Sequence, residues 1–269
     1  MRDPGRSRAE GRWGDLRTRM TSAGVLLVVG ALEIWLGGPS FIALVVLLSA
    51  VMVWELAMLT APAQAGVATA LAAFSAGCLL VAVSFPQLFT SGLVLLPALG
   101  FALTPRRDRL LAAGYGGAMV AAGYGLITLR LQEGGAVILW LVGIVVASDV
   151  LGYFAGRLIG GAKFWPRVSP KKTWAGTVAG WIGAVLVALG FVAAGEAGWA
   201  LVALSPVVAL AGQMGDIAES WIKRRAGVKD ASHLIPGHGG VMDRFDALTG
   251  AVLAVMLIGL VLPLPFGRG

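Results

Sequence analysis

Residues 40–60 have the sequence SFIALVVLLSAVMVWELAMLT, an apolar run that contains one charged residue, Glu55. A helix of this length extends for about 30 Å, which matches the hydrocarbon thickness of a bilayer. Glu55 lies near one end of the run, where we expect its carboxylate to reach water. The stretch therefore predicts a transmembrane α-helix, and much of the chain has the same character.

The composition of the whole chain extends this prediction. Of 269 residues, 58% are hydrophobic and only 13% are charged, whereas soluble domains carry roughly 25% charged residues. A soluble fold could not hide so much apolar surface. The single cysteine, Cys78, excludes an intramolecular disulfide and a cluster of thiolate metal ligands.

Nine apolar runs are candidates for membrane-spanning helices, which need about 20 mostly apolar residues. The predicted fold class is therefore all-α, a polytopic transmembrane helical bundle. The runs are 21–37, 40–60, 65–84, 87–104, 110–128, 136–156, 176–195, 198–218 and 245–263.

The basic residues between these runs predict the orientation of the chain. With nine spans, every Lys and Arg except Arg130 and Arg268 falls on one face. Because cytoplasmic loops carry the excess of basic residues, the N-terminus is predicted in the cytoplasm and the C-terminus outside. The net charge of +7 thus reflects membrane topology, and no nucleic-acid partner is predicted.

Three regions follow from this pattern. Residues 1–20 form a basic cytoplasmic tail, and 21–135 form an N-terminal transmembrane region of about five spans. Residues 136–269 form a second transmembrane region of about four spans, with cytoplasmic loops 157–175 and 219–244. We expect a multi-pass protein of the cytoplasmic or inner membrane.

The polar residues that could perform chemistry concentrate in residues 220–246, SWIKRRAGVKDASHLIPGHGGVMDRFD. Glycines at 237, 239 and 240 allow the backbone to turn tightly and approach a ligand. Such a mixture of cations, carboxylates and glycines beside a bilayer is typical of a site for a phosphate ester or nucleotide.

Two carboxylate pairs flank this loop. Asp216 and Glu219 share a helix face, and Asp243 and Asp246 do so if they are helical. Carboxylate oxygens suit Mg²⁺, which takes a few protein ligands together with water and substrate phosphates. Nearby cations could bind the remaining phosphate oxygens; they are Lys223, Arg224, Lys229 and Arg244.

A second polar cluster precedes the first. Asp149 lies inside an apolar run, where an ionisable residue is costly and indicates function. Tyr153 lies on the same helix face, and Gly152 and Gly156 have the spacing of a close helix-packing face. The segment that follows could bind phosphate through its hydroxyls and lysines; these are Ser169, Lys171, Lys172 and Thr173.

Residues 220–246 resemble the signature of the phosphatidate cytidylyltransferase family. The polar identities fall at the family's spacing throughout; they are Ser220, Lys223, Arg224, Lys229, Asp230, Pro236, His238, Gly239, Gly240, Asp243, Arg244 and Asp246. The lead-in around Asp216 and the earlier cluster around Asp149 and Lys171 are also similar to the family.

The resemblance implies an enzyme that transfers CMP from CTP to phosphatidate, giving CDP-diacylglycerol and pyrophosphate. It implies Mg²⁺ bound by Asp216, Asp243 and Asp246, with Lys223 and Arg244 also catalytic. The implied substrate-binding residues are Asp149, Tyr153, Ser169, Lys171, Lys172, Thr173, Ser220, Arg224, Lys229, His238, Gly239 and Gly240. It implies that residues 136–269 are the catalytic region, with an active site that faces the cytoplasm. It leaves open a second, monovalent cation and a homodimer.

Two other functions remain as alternatives. A CTP-dependent lipid kinase, such as a polyprenol kinase, would need a similar site but would transfer the γ-phosphate. An ion-coupled transporter could use Asp149 and Asp216 inside the membrane. A transporter predicts internal repeats, and no repeat is evident in the sequence.

Overall fold

The structure is a computed structural model that describes the backbone of residues 4–87 and 90–267. Within those ranges it describes side chains from residue 20 onward. The predicted basic side chains of the N-terminal tail, and Arg268, therefore lie outside the described residues. The backbone of much of that tail is helical, because the first helix begins at Pro4.

The described residues form nine α-helices, which confirms the predicted all-α class. Each helix corresponds to one predicted apolar run. In chain order they are α1 Pro4–Leu36, α2 Gly38–Thr60, α3 Ala65–Ser84, α4 Thr90–Leu103, α5 Arg109–Glu133, α6 Gly135–Leu158, α7 Trp174–Ala193, α8 Ala200–Ala226 and α9 Met242–Gly259.

Six of these helices are long and apolar enough to cross a membrane, namely α2, α3, α5, α6, α7 and α8. The apolar part of α1, Met20–Leu36, and helix α4 are shorter. Helix α9 has 18 residues and carries Asp243, Arg244 and Asp246 in its first turns. The protein is thus an α-helical membrane protein by the length and composition of its helices.

A small β-hairpin interrupts the helices between α6 and α7. Strand β1, Lys163–Trp165, pairs antiparallel with β2, Ser169–Thr173. The sequence analysis did not predict these strands, because three and five residues without polar–apolar alternation give no period-2 signal. The hairpin is fixed to the bundle by an edge-to-face contact of Phe164 with Trp174, whose ring centroids are 4.7 Å apart.

Contacts between distant segments of the chain show how α1, α2 and α5 run relative to one another. At one end, the Ser22 hydroxyl donates to the Pro236 carbonyl at 2.9 Å, and the Arg107 amide donates to the Thr60 carbonyl. At the other end, the Arg130 guanidinium donates a hydrogen bond to the carbonyl of Ile34, in the last turn of α1. Helix α2 therefore runs opposite to both α1 and α5.

Arg225 ties the end of α8 to the connection between α4 and α5. Its guanidinium donates two hydrogen bonds to the Asp108 carboxylate, at 2.9 and 2.6 Å. These bonds keep the pKa of Asp108 below its ordinary value. Arg225 lies in the last turn of α8, and its ion pair with Asp108 connects this helix to the N-terminal helices.

Two apolar cores hold the bundle together. One is centred on α6, with Trp140 and Ile144 fully buried. The other joins α2 to α5 with the beginning of α9, where Val241 and Met242 are buried against Leu56 and its neighbours. The N-terminal helices therefore pack directly on the segment that carries the signature residues.

Candidate functional site

A close approach of two helix backbones brings carboxylates of α8 and α9 together. A side chain at Gly215 would overlap the carbonyl oxygen of Asp246, and one at Gly250 would overlap the carbonyl oxygen of Ala211. Because these glycines allow backbone contact, Asp216 on α8 faces Asp246 on α9.

The result is an acidic cluster of Asp216, Glu219 and Asp246, whose ligand oxygens lie within 4.8 Å of one another. Glu219 is fully buried and Asp246 is 9% exposed. Neither oxygen of Glu219 accepts a well-aligned hydrogen bond from the described residues. Buried carboxylates at this spacing repel each other unless cations compensate them, and all-oxygen ligand sets suit Mg²⁺. The cluster therefore fits a divalent cation.

Two lysines partly neutralise these carboxylates. Lys172, from β2, lies 2.6 Å from Asp216 Oδ2. Lys223 lies 2.5 Å from both Glu219 Oε2 and Asp243 Oδ1. Carboxylates and lysine ammonium groups therefore lie side by side in the site, a mixture that suits the binding of a metal ion together with phosphates.

Asp243, which was predicted to bind Mg²⁺, contacts two backbone amides and a lysine. Its carboxylate accepts hydrogen bonds from the amides of Ala231 and Gly240, at 2.9 and 2.7 Å, besides its contact with Lys223. A Cβ at Gly239 would lie 2.8 Å from Asp243 Oδ2, so this glycine leaves room for the carboxylate. Asp243 therefore organises the loop, and the third carboxylate of the acidic cluster is Glu219.

A cavity of about 570 Å³ opens beside the acidic cluster. Many of the residues predicted as functional line it; they are Asp149, Tyr153, Lys171, Lys172, Thr173, Asp216, Lys223, Asp243, Arg244 and Asp246. The lining also includes Arg157 and Asp230. Cations and carboxylates from α6, the hairpin, α8 and α9 therefore face a shared space large enough for a nucleotide-sized ligand.

The α6–α7 wall of this cavity depends on small residues. A Cβ at Gly152 would lie 3.1 Å from the Gly176 carbonyl oxygen, and one at Gly156 would lie 3.1 Å from Thr173 Oγ1. This confirms the predicted packing face on α6. Thr173 caps α7 by accepting a hydrogen bond from the Gly176 amide at 3.1 Å.

The remaining predicted residues do not line the cavity. Ser220 donates to Asp216 Oδ1 at 3.3 Å, and the His238 carbonyl accepts two hydrogen bonds from Arg244. Arg224 donates to the carbonyl of Val228 in the loop. Ser169, Lys229, Gly239 and Gly240 complete this group. Ser220 and His238 therefore contact residues that line the cavity without lining it themselves.

One expectation about the N-terminal half was wrong. Glu55 does not reach water, because its side chain is fully buried. Its carboxylate accepts hydrogen bonds from the Ser232 hydroxyl and from the amides of Val241 and Met242. An ionisable residue inside an apolar run is itself a signal of function, and that signal could have drawn attention to Glu55.

Two further residues near the site were not predicted. Gln213, on α8, donates to Ser148 Oγ and Thr177 O and accepts from Trp181 Nε1, so it joins three helices. The Tyr115 hydroxyl, on α5, is buried without a hydrogen-bond partner among the described residues.

Comparison with known proteins identifies the family of this chain. The model of the "Cytidylyltransferase family" matches residues 17–262. A phosphatidate cytidylyltransferase of Brucella abortus is 32% identical over 265 residues, covering 93% of this chain and 96% of that protein. Proteins of the same name from Staphylococcus saprophyticus and Haemophilus influenzae are 40% and 39% identical over about half of each chain. The chain belongs to the cytidylyltransferase family.

Proposed function

We propose that this protein is a phosphatidate cytidylyltransferase, which transfers CMP from CTP to phosphatidate and produces CDP-diacylglycerol and pyrophosphate. The observation that carries the proposal is the cavity in which Asp216 and Asp246 of the acidic cluster face Arg157, Lys171, Lys172 and Arg244. The names of the similar proteins support the same substrates.

The reaction needs two phosphate groups to meet. A phosphate oxygen of phosphatidate forms a bond to the α-phosphorus of CTP, and the bond from that phosphorus to the α,β-bridging oxygen breaks. Pyrophosphate leaves with the bonding electrons. Such transfers depend mainly on positioning and on neutralising charge, so the cationic side chains of the cavity would orient both substrates.

Asp216, Glu219 and Asp246 would hold Mg²⁺ through their carboxylate oxygens. When bound, Mg²⁺ would neutralise the triphosphate and favour departure of pyrophosphate. Lys172 and Lys223 keep the carboxylates compensated. Asp243 would act through Lys223 and the loop amides that it binds.

The site would serve one membrane-bound and one soluble substrate. We infer nine membrane crossings, with the N-terminus and the cavity on the cytoplasmic side. The alternating contacts at the two ends of the bundle support this topology, as does the distribution of Lys and Arg. Residues 21–135 would then form a supporting region, and 136–269 the catalytic region.

The test uses purified protein in detergent with phosphatidate, Mg²⁺ and CTP labelled at either the α- or the γ-phosphate. We expect α-label to enter the lipid and γ-label to leave as pyrophosphate. Entry of γ-label into the lipid would identify a CTP-dependent kinase. Movement of neither label in folded, Mg²⁺-replete protein would contradict the enzyme assignment.

The second, monovalent cation and the homodimer stay predictions. Turnover in Na⁺, K⁺ and choline buffers of equal ionic strength tests the cation. Native mass spectrometry of the detergent-released protein tests the dimer.

A further inference from the structure

A carboxylate from the N-terminal region reaches the loop that precedes α9. Glu55, on α2, is fully buried. It accepts hydrogen bonds from Ser232 Oγ at 2.5 Å, from the Val241 amide at 2.9 Å and from the Met242 amide at 2.6 Å. These donors lie more than 170 residues further along the chain, so the contact joins the two halves of the protein.

The chemistry of this contact explains how a carboxylate can be buried there. A carboxylate without partners would be costly in an apolar core. The amides of Val241 and Met242 are among the donors that the first turn of a helix leaves without internal acceptors. A negative group is also favourable at a helix N-terminus. Glu55 therefore caps α9 from a different part of the chain.

The backbone beside Glu55 is shaped to admit it. A Cβ at Gly240 would lie 2.6 Å from Glu55 Oε1, so only glycine allows this approach. On its other side, the Gly240 amide donates to Asp243. The start of α9 is thus held between Glu55 and Asp243.

This capped turn leads directly into the acidic cluster. Asp246 follows Met242 by one helical turn. Any rotation or fraying of the first turn of α9 would move the Asp246 carboxylate relative to Asp216 and Glu219. Glu55 itself is absent from the residues that line the cavity, so it does not contact the substrates there.

We propose that Glu55 is a positioning residue, which fixes the first turn of α9 and thereby places Asp246 in the acidic cluster. The inference rests on the proposed function for its effect on turnover. Its effect on divalent-cation binding can be measured without substrates.

The experiment compares the wild-type protein with Glu55→Gln, Glu55→Asp and Ser232→Ala. Glu196→Gln is the matched control, because Glu196 is an exposed carboxylate in the connection between α7 and α8. Mn²⁺ binding is followed by electron paramagnetic resonance without CTP, and kcat and the Mg²⁺ activation constant are measured with CTP and phosphatidate. Melting temperature is recorded for each variant.

We expect Glu55→Gln to weaken Mn²⁺ binding and raise the Mg²⁺ activation constant by roughly 10- to 100-fold, as for residues that orient metal ligands. The amide would present an NH₂ group to backbone donors. Glu55→Asp should recover part of this loss because it restores a carboxylate. Ser232→Ala should have a smaller effect, since both amide donors remain, and Glu196→Gln should have none.

Wild-type Mn²⁺ binding in Glu55→Gln, with only a lower melting temperature, would overturn the inference. If that variant does not fold, the same comparison is made with Glu55→Asp and Ser232→Ala, and wild-type binding in both would overturn it. Weaker Mn²⁺ binding in an otherwise inactive protein would support the positioning role while contradicting the proposed function. If the wild-type protein is active and the Glu55 variants bind Mn²⁺ as the wild type does, the proposed function stands and the positioning role is contradicted.

Discussion

Among single residues, Asp246 connects the loop before α9 with the acidic cluster, because it belongs to the cluster and lies in the first turns of that helix. Asparagine at this position keeps the size of the side chain but removes the negative charge. We expect Asp246→Asn to reduce kcat by at least about 100-fold, because charge stabilisation dominates transfers of this kind. The labelled-CTP assay in detergent measures the loss.

The control for this substitution is Glu196→Gln, which also removes one carboxylate charge, at an exposed position. Both variants should elute as monodisperse particles and melt cooperatively. If Asp246→Asn turns over within a few-fold of the wild type, the Asp246 carboxylate is not needed for the reaction.

Sequence patterns singled out residues that the structure brings together, but not the contacts that these residues make. Asp216 and Asp246 followed from helical spacing and from the family resemblance. Glu55 could not be connected to the site, because its donors lie far along the chain at Ser232 and beyond. The assignment of Asp243 to the loop similarly depends on amides at Ala231 and Gly240, which only the folded chain brings together.

At the scale of elements, the turn before α9 depends on Gly240. Alanine there would place a Cβ 2.6 Å from Glu55 Oε1, and the buried carboxylate has little room to move. We expect Gly240→Ala to destabilise the protein by about 1–3 kcal/mol, the usual range for overpacking, and to lower activity. Thermal unfolding and the labelled-CTP assay measure both effects.

Gly190→Ala provides the comparison within helix α7. A Cβ at Gly190 meets nothing within 4 Å, and alanine is favoured over glycine in a helix by about 1 kcal/mol. The control should therefore be as stable as the wild type or slightly more so. Equal melting temperatures for both alanine variants would contradict the tight fit at Gly240.

Gln213 links helices α6, α7 and α8 behind the cavity. Leucine has a similar size but would leave Ser148, Thr177 and Trp181 without their bonds to this side chain. Unsatisfied buried groups cost about 1–3 kcal/mol each, so we expect Gln213→Leu to lower the melting temperature by several degrees.

Gln132→Leu is the control for that change, because Gln132 is exposed at the end of α5. It should melt within about a degree of the wild type, as surface substitutions usually do. A melting temperature unchanged in Gln213→Leu would show that the three bonds contribute little to the packing of these helices.

The elements were predictable to different extents. Each helix follows an apolar run, since a span must satisfy its backbone hydrogen bonds internally and expose apolar side chains. The extension of α8 to Ala226 carries Lys223 and Arg225 beyond the predicted run, where charge hides the helical signal. The hairpin Lys163–Thr173 is held by pairing and by Trp174, neither of which has a periodic pattern.

In the molecule as a whole, the N-terminal helices have a role that their featureless sequence conceals. They contact the loop 227–241 and its flanking helices through Ser22, Glu55 and Asp108. The second apolar core continues the same contact. The loop 227–241 and its flanking helices are therefore supported at one end of the bundle by side chains from α1, α2 and the α4–α5 connection.

The proposed topology places these supports and the cavity on the cytoplasmic side, which labelling of single cysteines can test. Cys78 is buried in α3, and its replacement by alanine provides a background without native thiols. Arg167→Cys lies in the exposed turn of the hairpin, and Glu196→Cys in the exposed connection between α7 and α8. With nine spans, these positions lie on opposite faces of the membrane. In intact cells, a membrane-impermeant maleimide should label Glu196→Cys at once and Arg167→Cys only after permeabilisation. Labelling of Arg167→Cys from outside would reverse the orientation, and labelling of both would contradict an odd number of crossings between them.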